Sequence, residues 1–220
     1  MNVTLIAHTP DPENIIAQAA RTCYGTAAKA SLGKMAQQRL IRELVKRGHE
    51  SVLEHACFTF SVEGISRTAS HQLVRHRLAS FSQQSQRYVR LDPPAFIMPS
   101  SITLDPQASA LFSEACQTLT NTYQKLIGLN IPREDARLIL PQAVTTSLVM
   151  TVNARELLHI FRVRLCRRAQ WEIQEVCLLI LEIVEKLAPA VFQEAGPPCV
   201  HGPCPEGEKG CRHPWIRRLS

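Results

Sequence analysis

Apolar and polar positions follow two different periods along this chain, and the changes of period mark its elements. Asp11-Pro12 places an N-cap residue before a proline at the first helical position. Ile15, Ile16, Ala19, Ala20 and Cys23 then share one stripe, which predicts a helix. Leu40, Ile41, Leu44 and Val45 predict a second helix over about residues 32–47, with Gly48 as its stop. The period then shortens to two. Phe58, Phe60 and Val62 alternate with Thr59, Ser61 and Glu63, the pattern of a half-buried strand. A helix over residues 71–77, a loop over 80–85 and a short strand over 87–91 are expected next. Asp105-Pro106 opens a capped helix that ends near Gly128, and Pro132 starts a short one that ends before Pro141. Residues 145–152 read as a strand. Asn153 and Glu156 fit a capping box, with Leu157, Leu158 and Phe161 on the buried face. The last long helix, over about residues 171–187, stops before Pro189. No internal repeat or low-complexity linker divides these elements, so a single α+β domain is expected.

Composition narrows the class. The chain has 220 residues, enough for one sizeable core, and its 45% apolar and 20% charged residues are ordinary for a soluble globular protein. Its longest apolar stretches, around 138–152 and 177–183, fall short of the ~20 continuous residues a membrane span needs. The first residues lack a basic region followed by an apolar run, so a cytoplasmic protein is expected. Of eight cysteines, Cys23, Cys57, Cys116, Cys166 and Cys177 are scattered singly and read as small apolar side chains. The other three crowd into residues 196–220.

The net charge of +6 matters less than where it sits. Between Gly64 and Leu91 there is no carboxylate, while Arg67, Arg75, Arg77, Arg87 and Arg90 all fall inside. Arg155, Arg162, Arg164, Arg167 and Arg168 form a second cluster. Guanidinium groups suit bidentate capture of phosphate, so the expected partner is a nucleotide or a nucleic acid. With nine glycines and neither a Gly-x-Gly-x-x-Gly nor a Gly-Lys-Ser loop, arginine and hydroxyl side chains must do the holding.

The segment from Arg75 to Tyr88 supplies both. A lone Arg-His-Arg would be explained by a solvated basic helix face. Two serines and a further arginine in the same loop would not. The spacing Arg75-His76-Arg77-x-x-Ser80-x-x-x-x-Ser85-x-Arg87 resembles the signature of the flavin-dependent thymidylate synthases. Other stretches agree in order: Gly48-His49-Glu50-Ser51 with Glu54-His55, Pro132-Arg133-Glu134-x-Ala136-Arg137-x-x-Leu140-Pro141, Thr151-Val152-Asn153-Ala154-Arg155 and Ala169-Gln170-Trp171-Glu172-Ile173. The likeness covers about residues 1–195 as a catalytic domain and leaves 196–220 as a Cys/Pro/Gly-rich extension. The chain departs from the family pattern at Ser82, where asparagine is frequent, at Gln83 in place of a glutamate, and at His159 in place of an asparagine.

The resemblance implies an α+β domain with a mainly antiparallel sheet packed by helices, assembled as a homotetramer whose sites are shared between subunits. It implies FAD as cofactor, held by Ser51, Arg75, His76, Arg77, Gln83, Asn153, Arg155 and His159. It implies deoxyuridylate (dUMP) as substrate, surrounded by Gln72, Arg75, Gln84, Ser85, Gln86, Arg87, Arg137 and Arg164. Methylenetetrahydrofolate and NADPH would be co-substrates, and no resident metal, membrane or nucleic acid is implied. Arg164 is the expected catalytic residue, its guanidinium stabilising charge as N3 of the pyrimidine ionises.

Two alternatives remain open on sequence alone. One is a nucleic-acid-binding module that uses the arginines as a phosphate track, although only Phe81 and Tyr88 lie near for stacking. The other is a flavin reductase with another substrate. A covalent role for Cys166, which lies among arginines, is a further possibility. In the tail, Cys199, His201, Cys204, Cys211 and His213 suit a soft metal, yet the Cys-x4-Cys-x6-Cys spacing has no Cys-x2-Cys knuckle; an extension with unpaired thiols is the alternative.

Overall fold

In a computed structural model, residues 1–25, 32–213 and 215 of the chain are described. Four strands, β1 (Asn2–His8), β2 (Cys57–Ser66), β3 (Ser80–Gln83) and β4 (Thr145–Asn153), form one antiparallel sheet in the order β1-β2-β4-β3. The registers Leu5↔Phe60, Phe60↔Met150 and Phe81↔Met150 lay one apolar row across all four strands. Because side chains alternate across a strand, Phe58, Phe60 and Val62 of β2 point to the same buried face as Leu148, Met150 and Val152 of β4. The other face is polar at Thr59 and Thr151, whose hydroxyls lie 3.0 Å apart.

Helices cover the apolar face: α1 (Pro12–Cys23), α2 (Lys34–Lys46), α7 (Ala154–Arg164), α8 (Trp171–Leu187) and the short α9 (Pro189–Phe192). Phe192 stands edge-on to both Phe58 and Phe161, with ring centroids 5.9 and 6.0 Å apart. Each such buried aromatic contributes on the order of 1.5–3 kcal/mol by leaving water. Between them in sequence come α3 (Arg67–Leu73), α4 (Ser100–Thr103), the long α5 (Pro106–Gly128) and α6 (Arg133–Ala136). Only Thr120 and Tyr123 of α5 are buried, so this helix lies largely outside the core. No helix among the described residues is long and apolar enough to cross a membrane.

Most expected elements are present, and the differences have local causes. Asp11 precedes α1, but it sits at φ 43° and its side chain makes no cap bond. Gly48 does stop α2: at φ 73° it lets His49 N–H reach back to Leu44 O at 2.9 Å. Asp105 caps α5 by accepting from the N–H groups of Gln107 and Ala108.

The segment around the arginine motif folds differently from the expectation. Its helix begins and ends earlier, at Arg67 and Leu73, so Arg75, His76 and Arg77 stand on the turn beyond it. The strand is 80–83, where a loop was expected, while residues 87–91, expected as a strand, form a turn closed by Val89 N–H to Ser85 O at 2.9 Å. Pairing decides the matter. Ser80 must reach its partner Thr151 on β4, which halts the helix, and that edge of β4 is then filled before residue 87 arrives.

The start of α3 is held from a distance. In β2 the register slips between Val62 and Ile65, where Gly64 takes φ +65°, and both Ile65 and Ser66 end up buried. Ser66 then N-caps α3 by accepting from Ala69 N–H at 3.0 Å. Its own N–H and hydroxyl donate to the two carboxylate oxygens of buried Glu172, at 2.6 and 2.5 Å. Glu172, at the first turn of α8, thereby fixes where α3 begins and which way it points.

Candidate active site

A cleft of about 740 Å³ opens between the end of α3, the turn that follows it and α7. Gln72, Arg75, His76, Arg77, His159 and Arg164 all line it. Six of the residues singled out from the sequence are thus brought together, from segments some ninety positions apart. No carboxylate is among the lining residues. Arg75 and Arg77 are exposed at the rim and make no ion pair among the described residues.

Arg164, at the last turn of α7, is held at two points. Its Nε–H donates to His76 Nε2 at 3.1 Å, and an Nη2–H donates to Gln72 O at 3.2 Å. His76 itself is buried, 6% exposed, and its ring meets that of His159 edge-on at 5.7 Å. Burial first, and then the charges of Arg164 and His159, push the His76 imidazole down to about 4. The ring is therefore neutral near pH 7, and the Arg164 contact identifies Nε2 as its bare nitrogen.

The remaining expected residues form two groups outside the cleft lining. Ser51 lies in the 3-10 turn Glu50–His55, and Arg155 pairs there with Glu54 and, at 3.8 Å, with Glu50. These carboxylates, Glu54 most strongly, raise the Arg155 guanidinium further. Asn153 caps α7 by accepting from Glu156 N–H at 2.9 Å. The second group follows β3. Arg87 pairs with Glu134 at 2.6 Å and lies over the Tyr88 ring, Arg137 Nε–H donates to Glu134 O at 3.1 Å, and the Ser85 hydroxyl accepts from Arg87 N–H at 3.2 Å. Gln84 makes the last ladder bond, to Ser147 O. Gln83 has spent its amide donors on the hydroxyls of Ser70 and Thr146, so it ties β3 to α3 and β4.

Gln86 Nε2 is buried with no hydrogen-bond partner, alone in this among the described side chains. A buried donor left unpaired costs roughly 1–3 kcal/mol, so this atom suits an acceptor that a ligand or a second chain brings. The donor set as a whole, guanidinium, imidazole, amide and hydroxyl, fits the phosphates and heterocycles of nucleotides. Of the cysteines, Cys177 does not fit a nucleophile's role. Cys177 lies in the core, its thiol pushed up to about 12 by burial, and Cys166 is half-buried.

Sequence reasoning missed Glu156 as a site residue. It was read as half of a capping box, but only the forward bond from its N–H is made. Its carboxylate, buried at 5% exposure, instead stands 3.4 Å from His76 Nδ1. Burial holds this carboxyl above its ordinary range, against the pull of His159 and Arg155. The signal was present in the spacing, since Glu156 and His159 lie three apart on one helix face. His76, Glu156 and His159 offer ligand atoms within 4.8 Å of one another, the one such trio among the described residues. The Arg164 charge beside His76 opposes a cation there.

In the tail, Cys199 Sγ accepts from Trp215 N–H at 3.5 Å and Cys211 Sγ lies 3.1 Å from His213 O. Arg168 pairs with Glu206 at 2.6 Å. Gly196 and Pro197 are buried as well, and Trp215 packs back against Gly196.

An α+β domain whose cleft is lined by arginines and histidines, with no carboxylate among its lining residues, suits an anionic ligand. The comparison with known proteins is sharper. Residues 4–190 match the family model described as thymidylate synthase complementing protein, and the chain belongs to that family. It is 46% identical to a flavin-dependent thymidylate synthase of Geobacter sulfurreducens, over 96% of this chain and 94% of that one. It is 41% identical to a protein of the same name from Clostridium tetani, over 96% and 93%. Another, from Pyrococcus abyssi, is 41% identical over 100% and 98%, so that alignment runs through the tail as well.

Proposed function

We propose that this chain is a flavin-dependent thymidylate synthase, which methylates dUMP to thymidylate with methylenetetrahydrofolate as carbon donor and NADPH as reductant. The observation that carries the proposal is the cleft, where Arg75, Arg77 and Arg164 face an opening free of carboxylates. Three guanidinium groups lining one cleft, with no ion-pair partner among the described residues, suit a site that receives anions.

FAD, when bound, supplies the hydride chemistry that reduces the transferred one-carbon unit to a methyl group. Arg75, His76 and Arg77 would hold it, with Ser51, Gln83, Asn153, Arg155 and His159. Around dUMP stand Gln72, Arg75, Gln84, Ser85, Gln86, Arg87, Arg137 and Arg164. Arg87 and Ser85 offer a charged fork and a hydroxyl to its phosphate. Arg164 is the catalytic residue. Two of its five N–H donors are engaged by His76 and Gln72, which leaves the others for the pyrimidine, where they stabilise negative charge as N3 ionises. The ring carbon becomes nucleophilic in this way without a protein thiolate, consistent with Cys177 lying in the core.

The active form is a homotetramer with sites shared between subunits. Within one chain the Ser51–Arg155 and Ser85–Arg87–Arg137 groups stand outside the cleft lining, and α5 leaves Leu111 exposed. A neighbouring subunit brings such groups to face the cleft and covers the exposed surfaces.

Spectroscopy tests the proposal. The protein should show oxidised-flavin absorption as isolated or after FAD is added, and dUMP should perturb it. NADPH should bleach it anaerobically, and methylenetetrahydrofolate plus dUMP should restore it as thymidylate appears. A flavin that ignores dUMP would favour a reductase with another substrate. No flavin binding, with salt-sensitive binding to oligonucleotides, would end the proposal.

A further inference from the structure

Glu156 is a buried acid to which the synthase reading assigns no task. We propose that it is a positioning residue for Arg164, acting through His76: Nδ1–H of the neutral ring is directed at its carboxylate oxygen, which accepts, and Nε2 is thereby kept as the acceptor that orients the guanidinium. The inference rests on the reading of the cleft given above, since it explains how the catalytic arginine is aimed.

The argument starts from donors and acceptors. The Arg164 Nε–H can donate to His76 Nε2, at 3.1 Å, only if that nitrogen carries no proton. A neutral imidazole then carries its proton on Nδ1, and the atom facing Nδ1 is Glu156 Oε1 at 3.4 Å. With the opposite tautomer two N–H groups would face each other across the Arg164 contact, and the guanidinium would have to turn away. A carboxylate on Nδ1 selects between the two forms, as acids behind metal-bound or catalytic histidines do. The groups facing His76 are Glu156, His159 and Arg164 of α7, with Arg75, Arg77 and His71 also lining the cleft. The Arg164 guanidinium lies against the ring and Arg75 and Arg77 line the same cleft, which disfavours its protonation, and the single acid among these groups sits at Nδ1.

The second hold on Arg164 makes the orientation matter. Its Nη2 is fixed on Gln72 O, at the end of α3, while Nε is fixed on His76. Two contacts define the plane of a guanidinium, whereas one leaves it free to pivot. Loss of the Glu156 acceptor should therefore displace the free N–H groups without removing the charge.

The test uses the FAD-loaded protein with its substrates. Histidine-selective 15N spectra, with the His76 signal assigned by its loss in His76→Asn, should show Nδ1–H at pH 7. Glu156→Leu should abolish that preference and lower the single-turnover rate of thymidylate formation about 10- to 100-fold, while the dUMP Kd moves less than about threefold. Glu156→Gln, which keeps an acceptor, should recover most of the rate. In an Arg164→Ala background Glu156→Leu should cause no further loss, because the two act as one unit. A wild-type His76 protonated on Nε2 would overturn the proposal. So would equal losses in both backgrounds, or one zinc per chain that disappears with Glu156→Leu. The wild-type spectrum and Glu156→Gln carry the test if Glu156→Leu does not fold. If the wild type shows no flavin or dUMP response, the synthase reading fails, and the tautomer measurement still decides the Glu156–His76 link separately.

Discussion

His76 concentrates the electrostatics of this protein in one ring. Its imidazole is pushed from the ordinary 6.5 down to about 4, so between those values the unfolded chain binds a proton that the native state refuses. Stability from this group is therefore present above pH 6.5 and is lost as pH falls toward about 4. Glu156 works in the opposite sense. Its raised carboxyl binds a proton more readily in the folded state, so its contribution falls as pH rises above the ordinary carboxyl range. The two are separable. Thermal melts of the wild type should lose more stability between pH 6.5 and 4 than melts of His76→Asn, which lacks the titrating ring. Parallel pH curves for the two proteins would show that another group governs acid unfolding.

At the scale of elements, the position of α3 is the critical quantity, because Gln72 and the turn bearing Arg75, His76 and Arg77 extend from its end. Ser66 terminates β2, caps α3 and bonds Glu172 of α8, so one hydroxyl joins three elements. Ser66→Ala removes the cap and leaves the Glu172 carboxylate with one fewer donor in a buried setting. The expected cost is roughly 1–3 kcal/mol, measured as a shift of the urea midpoint at unchanged m-value. A wild-type midpoint would mean that α3 is held by other contacts. Glu13 acts as a second such staple. Its carboxylate accepts from Ala190 N–H at 2.7 Å and from Gln38 Nε2 at 2.9 Å, tying α1 to α9 and α2.

For the whole molecule, the separation of the site into a cleft and two outlying groups predicts assembly. Light scattering of the purified protein should give roughly four times the 24.6 kDa of the chain. A monomer with full activity would contradict shared sites. The tail belongs to this scale too. Trp215 lies against Gly196, where an added Cβ would come within 3.1 Å of the indole, and the Arg168–Glu206 pair reaches across to the turn before α8.

The amino-acid sequence by itself determined the elements that local physics controls. Period-two alternation at Phe58–Val62, the Asp105 and Asn153 caps and the Gly48 stop depend on neighbours within a few residues, and each was legible for that reason. The motif from Arg75 to Arg87 was equally legible as a set of residue types. Its backbone was not. No glycine or proline marks the end of α3, and only pairing with β4 makes 80–83 a strand and leaves 87–91 a turn. Tertiary structure alone decided which arginines stay unpaired: among the described residues Arg75 and Arg77 do, while Glu134 claims Arg87 and Glu54 claims Arg155. It also moved Glu156 from a helix cap to His76. A carboxylate's partner is set by what lies within about 4 Å of it, and positions 76 and 156 meet only because the turn after α3 packs beside α7.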